Sequence, residues 1–193
     1  MKVKIIILSL VALVSFNSLN AQESKFSLEL NAGFSQAVKE INKSKLKPGF
    51  GFEGIFNYYF MPHTGVYAGW GWNRFESNNS FAGSDVCFEE TGYIFGLQFK
   101  HPIHNSKTKY YLKIGALYNH IETENSIGEI INDSKHGWGW QIGGGLDFNI
   151  NDKWSFTPGV KFNSLSRNSV FNSNSVDLDY KYLSVKIGFN RKF

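Results

Sequence analysis

The 193-residue chain contains one cysteine, two methionines and four prolines, and Asp, Glu, Lys and Arg together make up only 19% of it. One thiol cannot build a disulfide scaffold or a cysteine-rich zinc module. Long hydrophobic runs are also missing. The longest, residues 5–16, is interrupted by Ser9. It falls short of the roughly 20 apolar residues that a helical span needs, which excludes a polytopic helical membrane protein. The formal net charge is only +4, so no nucleic-acid partner is implied. The length admits one domain or two small ones. What the chain has in abundance is aromatic: 18 Phe, 9 Tyr and 5 Trp, against a mean hydropathy of −0.26 that describes a soluble protein.

The first 21 residues read as an export signal. Lys2 and Lys4 make a basic start, residues 5–16 an apolar centre, and residues 17–21 a polar stretch ending on the small residue Ala21. Cleavage is expected before Gln22. The alternative, an anchor that stays attached, requires a run too short to span comfortably. No cysteine near the cut invites lipidation.

From Phe26 to Phe193 the dominant period is two, with no window carrying a helical stripe. Between residues 138 and 150, Trp138, Trp140, Ile142, Leu146, Phe148 and Ile150 share one face, and Gly139, Gln141, Gly143, Gly145, Asp147 and Asn149 the other. Seven further segments behave alike: 26–38, 49–60, 65–75, 88–100, 109–121, 154–163 and 179–193. Eight strands of about ten residues or more match the length a tilted strand needs to cross a bilayer. The connectors alternate as well. Segments 59–64, 101–108 and 149–153 are short turns, whereas 39–47, 76–87, 122–136 and 164–176 are longer polar loops. The expected architecture is therefore all-β, an eight-stranded antiparallel up-and-down transmembrane β-barrel occupying residues 22–193, with both termini periplasmic.

Period two alone does not say which face points outward, but volume does. Some forty bulky apolar groups do not fit inside a ring of eight strands, whose interior ordinary side chains already fill. The apolar face is thus expected on lipid. A two-sheet sandwich burying the aromatic face is the competing arrangement. The other face carries Gly51, Gly69, Gly71, Gly96, Gly115, Gly143, Gly145, Gly159 and Gly188, together with Glu29, Glu53, Lys113, Asp147, Lys161 and Lys186, whose opposite charges can pair across a lumen. Two aromatic girdles follow: Trp70, Trp72, Trp138 and Trp140 toward the outer interface, and Phe60, Phe99, Tyr110, Trp154 and Phe193 toward the inner one.

At the end of the chain Leu183, Val185, Ile187, Phe189 and Phe193 share a face, and Arg191 stands where an apolar residue would continue it. This closing strand resembles the assembly signal of bacterial outer-membrane barrels, and residues 26–193 resemble the small OmpA/OmpX-type barrels. More narrowly, Asn20-Ala21-Gln22, the Asn- and Tyr-rich strands and the final segment 187–193 look like the PorT-like outer-membrane barrels of Bacteroidota. The resemblance implies a monomer in a Gram-negative outer membrane. It also implies contact with lipid, lipopolysaccharide and the barrel-assembly machinery, and no cofactor.

Candidate chemistry is sparse. Some barrels of this kind modify lipids with a His, a Ser and an acid, and His120, His136, Ser134, Glu122 and Glu124 cluster near the ends of adjacent strands. No nucleophile elbow exists, and no catalytic residue is assigned. His101 and His104 form an H-x-x-H pair without further ligands, so no metal centre is expected there. Gly143-Gly144-Gly145 lacks the strand-to-helix context of a nucleotide loop. Cys87 lies at a loop end as a lone thiol. Lys39, Lys43, Lys45 and Lys47 make the first loop basic, suited to lipopolysaccharide phosphates. Glu122, Glu124, Glu129 and Asp133 make the third loop acidic, suited to divalent cations. The reading these features favour is a non-enzymatic outer-membrane protein that supports the cell envelope or presents loops for surface contact. A porin-like narrow pore, which needs an open path past Glu53, Lys113 and Lys161, and a lipid-modifying enzyme are the alternatives.

Overall fold

A computed structural model describes residues 24–104, 106–171 and 174–193; the expected export signal, residues 1–21, lies outside the described residues. The chain runs through β1 (Phe26–Ala37), β2 (Gly49–Tyr59), β3 (Thr64–Ser80), β4 (Gly83–Pro102), β5 (Thr108–Glu124), β6 (Ile130–Asp133), β7 (Gly137–Asn149), β8 (Trp154–Phe156), β9 (Gly159–Phe171) and β10 (Asn174–Lys192). Among the described residues no helix is long and apolar enough to cross a membrane.

Each strand pairs antiparallel with its neighbour, and β10 returns to β1, from Ser27 opposite Lys192 to Ala37 opposite Tyr182, so the sheet closes on itself. The ring has eight positions. β8 and β9 share one of them, interrupted at Thr157 and Pro158, because proline has no N–H to give the ladder. The break stays bonded to both neighbours: Thr157 N–H donates to the Gly188 carbonyl at 2.8 Å, and Leu146 N–H to the Pro158 carbonyl at 3.0 Å. β6 stands outside the ring, paired with β5 alone and bulged between Thr123 and Glu124.

Three of the expected long loops turn out differently. Residues 76–87 are largely strand, with β3 and β4 meeting in a tight hairpin between Ser80 and Gly83. Residues 164–176 are mostly the paired ends of β9 and β10. Residues 122–136 contain the end of β5 and all of β6. The strands continue because side-chain parity is unbroken while the chemistry of the two faces exchanges. On β4, Phe99, Leu97, Phe95 and Tyr93 are outward and exposed, followed by Thr91 and Glu89. On its inner face Lys100, Gln98 and Glu90 give way to Phe88 and Val86, both fully buried. On β10, outward Phe189, Ile187, Val185 and Leu183 give way to Lys181 and Asp179. Inward Asn190, Lys186 and Ser184 give way to Tyr182, Tyr180, Leu178 and Val176. Below the exchange the barrel is apolar outside, and above it the barrel is apolar inside, as a water-soluble sheet would be.

The apolar belt has the height of a membrane. On β5 it runs through Tyr110, Leu112, Ile114, Ala116 and Tyr118, and then stops at His120. At about 3.3 Å per residue and a tilt of about 40° this is roughly 20 Å, which the end rings extend to about 25 Å.

The first expected loop, 39–47, is folded back as a lid. Asn42 (φ 43°) and Lys43 (φ 66°) form the two-residue turn of a miniature hairpin whose ends, Ile41 and Ser44, exchange backbone hydrogen bonds of 3.1 and 2.7 Å. Positive φ at both positions is the signature of a type I′ turn, and Asn tolerates it better than most residues. The turn drives Ile41 and Leu46 into the apolar cluster of Phe75, Val86, Phe88, Ile121, Leu165, Leu178 and Tyr180.

Candidate functional site

The lumen is the region where function would show, and side chains fill it in three layers. The first carries the charges. Lys113 Nζ donates to both oxygens of Glu29, at 2.9 and 2.8 Å, across the barrel. Asn31 Nδ2 donates to Glu29 Oε1 at 2.9 Å. Glu53 accepts from Lys161, and Lys186 Nζ lies 3.1 Å from its Oε1. Lys100 Nζ donates to Asp147 Oδ2 at 2.6 Å. All three carboxylates are buried. Burial at this level is tolerable only because each charge faces an opposite one. The Lys113 ammonium also stands over the rings of Tyr67 and Tyr111, 5.6 and 5.3 Å from their centroids.

Glycines make room for these tyrosines. A Cβ on Gly115 would meet the Tyr67 hydroxyl, and one on Gly159 or Gly145 the Tyr111 hydroxyl. This explains glycine in the middle of β7, where no turn is needed. Among these groups remains a cavity of about 40 Å³, lined by Glu29, Glu53, Tyr111, Lys113, Lys161 and Lys186, room for a water or two and no more.

The second layer is a hydrogen-bond network joining six strands. The Tyr182 hydroxyl donates to Glu90 Oε2 and accepts from Asn163 and, at 3.1 Å, from Asn73 Nδ2. Asn119 donates to Glu90 Oε1. Ser35 Oγ bridges Asn73 Oδ1, at 3.0 Å, and Ser184 Oγ, at 2.7 Å. The third layer is the apolar cluster under the lid, in which Phe75 meets the rings of Tyr180 and Tyr182 edge-on at 5.3 Å each. At its margin the Arg167 guanidinium donates to the carbonyls of Asn119, Gly137, Trp138 and Ser166, stapling β5, β7 and β9.

The structure therefore brings Glu29 against Lys113, and Lys161 and Lys186 against Glu53, but gives Asp147 a partner, Lys100, that spacing alone does not suggest. Glu90 and Arg167 are equally unforeseen. Glu90 shares inward parity with Gln98 and Lys100, a signal that counting back along β4 would have found. Arg167 sat in a segment expected to be loop.

The girdle residues all lie on the outer face. Trp70 and Trp72 flank Phe52 at 5.6 and 5.4 Å, Trp138 lies 5.1 Å from Tyr118, and Trp140 lies 5.4 Å from Phe162. At the short-turn end Phe99 and Tyr110 are 6.0 Å apart, with Trp154, Phe60 and Phe193 exposed. Leu183, Val185, Ile187 and Phe189 are outward on β10, the strand that closes the ring. Arg191, the residue that interrupts their series, holds its guanidinium over the Trp154 and Phe193 rings, 5.6 and 5.3 Å away.

At the long-loop end, His120 and His136 stack at 4.4 Å, and His120 Nδ1 lies 3.0 Å from Asp133 Oδ1. Partial burial would raise the Asp133 carboxyl, but the contact with His120 and the Lys135 N–H hold it below its ordinary value. Ser134 Oγ accepts from Ile121 N–H at 2.8 Å and donates to the Lys135 carbonyl at 3.1 Å, so it is not aimed at either imidazole. Cys87 is buried beside Arg74, whose Nη2 lies 2.9 Å from its sulfur. Lys39 clamps the lid to β10 through Asp179 at 2.6 Å. This hydrogen bond from Lys39 is the main reason the Asp179 carboxyl lies below its ordinary value. The His101 ring lies against that of His63, centroids 4.5 Å apart and planes tilted by 41°.

A closed ring with a membrane-high apolar belt and a side-chain-filled interior defines a transmembrane β-barrel of eight strands. The sequence matches the model of the outer membrane protein beta-barrel domain over residues 6–193. The chain belongs to that family and resides in the outer membrane. No curated protein matches it. Among solved structures it resembles Neisserial surface protein A (14% identity, TM-score 0.64, covering 88% of this chain and 98% of that one). It also resembles Escherichia coli outer membrane protein W (15%, 0.54, 90% and 100%). A third likeness is to the attachment invasion locus protein of Yersinia pestis in complex with the heparin analogue sucrose octasulfate (19%, 0.52, 88% and 99%). At these identities the likeness is one of fold.

Proposed function

We propose that this chain is a monomeric, non-enzymatic outer-membrane barrel whose working part is its extended rim, serving surface contact and envelope integrity in place of solute passage. The observation that carries this reading is the sealed lumen. A wider recess of about 530 Å³ at the short-turn end reaches in as far as Lys100 and Asn190; past it, three successive layers, ionic, hydrogen-bonded and apolar, enclose a cavity of about 40 Å³, and the lid residues Ile41 and Leu46 cover the last of them. In this reading residues 1–21 direct export, the chain ends and short turns face the periplasm, and the rim faces outward among lipopolysaccharide. β10, with Leu183, Val185, Ile187 and Phe189 on its outward face, is the strand the assembly machinery reads. The rim is built for display: beyond the belt the β5–β6 hairpin exposes Ile127, Ile130 and Ile131. Within the family, the closing segment 187–193 favours kinship with the PorT-like barrels of Bacteroidota. Against a lipid-modifying role stands Ser134, whose hydroxyl is engaged by backbone groups.

Planar-bilayer recording of the purified, folded protein tests the proposal. No resolvable conductance steps are expected. Sustained steps that disappear on replacing Glu53 or Lys113 would overturn it in favour of a narrow pore.

A further inference from the structure

Just above the apolar belt, the outward face of the sheet carries a row of carboxylates across three adjacent strands. Glu89 on β4 is paired with Glu122 on β5, and Glu122 is paired in turn with Asp133 on β6. Like charges directly opposite one another destabilise a sheet. Glu89 is relieved by Arg74, whose Nη1 lies 2.7 Å from its carboxylate and 3.3 Å from that of Glu124. The Glu122–Asp133 pair has a different neighbour, His120, whose Nδ1 is 3.0 Å from Asp133 and 3.8 Å from Glu122. One donor atom from each of these three residues falls within 4.8 Å of the others. The face of His136 stacks on the His120 ring at 4.4 Å and fixes its plane.

We propose that His120, Glu122 and Asp133 form a binding site for one zinc-class divalent cation on the outer face of the β5–β6 hairpin. Three ligands each about 2.1 Å from one ion lie roughly 3.0–3.4 Å apart, so spacings of 3.0 Å, 3.8 Å and at most 4.8 Å need adjustments of a few tenths of an ångström to at most about 1.8 Å, within side-chain rotation. The donor set of one imidazole nitrogen and two carboxylates, with remaining positions open to water, suits zinc and its transition-metal neighbours. Calcium takes six to eight oxygens and magnesium a rigid oxygen octahedron. Binding replaces a hydrogen bond with a metal bond: the cation takes the lone pair of His120 Nδ1, the neutral ring carries its one proton on Nε2, any proton displaced from Nδ1 passes to solvent water, and the cation offsets the facing carboxylates. The site is made by the β5–β6 pairing, because Asp133 reaches His120 only when β6 folds back along β5. An ion there therefore clamps the hairpin to the barrel at the membrane boundary.

The test is zinc titration of the full chain, folded in detergent micelles and stripped with chelator, followed by copper(II) paramagnetic resonance at the same site. One zinc per chain is expected, with a copper spectrum showing coupling to nitrogen. His120→Ala and Asp133→Asn should each weaken binding at least roughly tenfold, His120→Ala should abolish the nitrogen coupling, and His104→Ala should change neither. Heat-modifiable gel migration confirms that each variant is folded, and His120→Gln replaces any that is not. Absence of zinc binding, undiminished binding by His120→Ala and His120→Gln, or equal displacement of zinc by calcium would each overturn the site.

Discussion

Replacing Glu53 by Gln probes whether the lumen is as dry as its packing implies. Glu53 is 5% exposed and is the shared counter-ion of two lysines, Lys161 and Lys186, whose side chains are 13% and 7% exposed. Glu53→Gln keeps the shape and one acceptor oxygen but leaves two ammonium groups facing each other in a closed interior. Breaking a buried pair by removing one partner costs about 3–5 kcal/mol, and the second stranded lysine pushes the loss toward the upper end. Urea unfolding in lipid vesicles, followed by tryptophan fluorescence and by heat-modifiable migration, measures it. The triple variant Glu53→Gln, Lys161→Met, Lys186→Met should regain most of the loss, because uncharged groups of similar volume replace a buried ion cluster at little or no cost. A loss below about 1 kcal/mol, of the size of a solvated pair, would mean that water screens these charges, and the inference of a sealed lumen would fail with it.

Three further outcomes follow from the same packing. Leu46→Ala, which truncates a buried lid residue, should cost about 2–4 kcal/mol; yet it should leave the protein non-conducting in planar bilayers, since the Glu90–Tyr182 layer lies beneath it. The Lys39–Asp179 clamp should release in acid. Asp179 lies below its ordinary carboxylate value when folded, so its contribution is complete above about pH 4 and is lost as the pH falls through the lowered value, which faster amide exchange in residues 39–47 should reveal. Arginine placed in turn at Ile114, Tyr118 and Glu122 on the outward face of β5 should cost about 2–4 kcal/mol at mid-belt and about 0–1 beyond it; equal costs at Ile114 and Glu122 in urea unfolding would refute the placement of the belt.

Much of this architecture was legible in the sequence, for a specific reason. Where lipid lies outside, alternation between an apolar and a polar face is strict, as in Leu183, Val185, Ile187 and Phe189 against Ser184, Lys186 and Asn190. Lumen crowding leaves glycine and a few charges on the inner face, so Glu29, Glu53, Lys113, Lys161 and Lys186 could be placed inside by parity alone. Their partners were less accessible. Pairing across a barrel depends on shear and on side-chain reach, which is why Lys100, adjacent to Asp147 in space and 47 residues away in sequence, carried no signal. The Tyr111 and Tyr67 hydroxyls over Gly159 and Gly115 are likewise a three-dimensional fit.

The strand ends were misplaced because the solvent changes along each strand while the backbone does not. At the exchange point the apolar side moves from the outer face to the inner one, so two consecutive residues are both apolar, as at Tyr182 and Leu183, or both polar, as at Asn73 and Arg74. Read as a period-two signal, such a pair looks like the end of a strand. It is instead the boundary between two solvents for a single continuous sheet. The same exchange explains why the lumen closes at the long-loop end. Once outward positions face water, the buried apolar area that holds the rim together can only be inside, so Phe75, Phe88, Leu178 and Tyr180 must fill the space that a channel would need. A rim that is stable beyond the membrane and a lumen that is open through it are competing uses of the same inner face, and in this chain the rim occupies it.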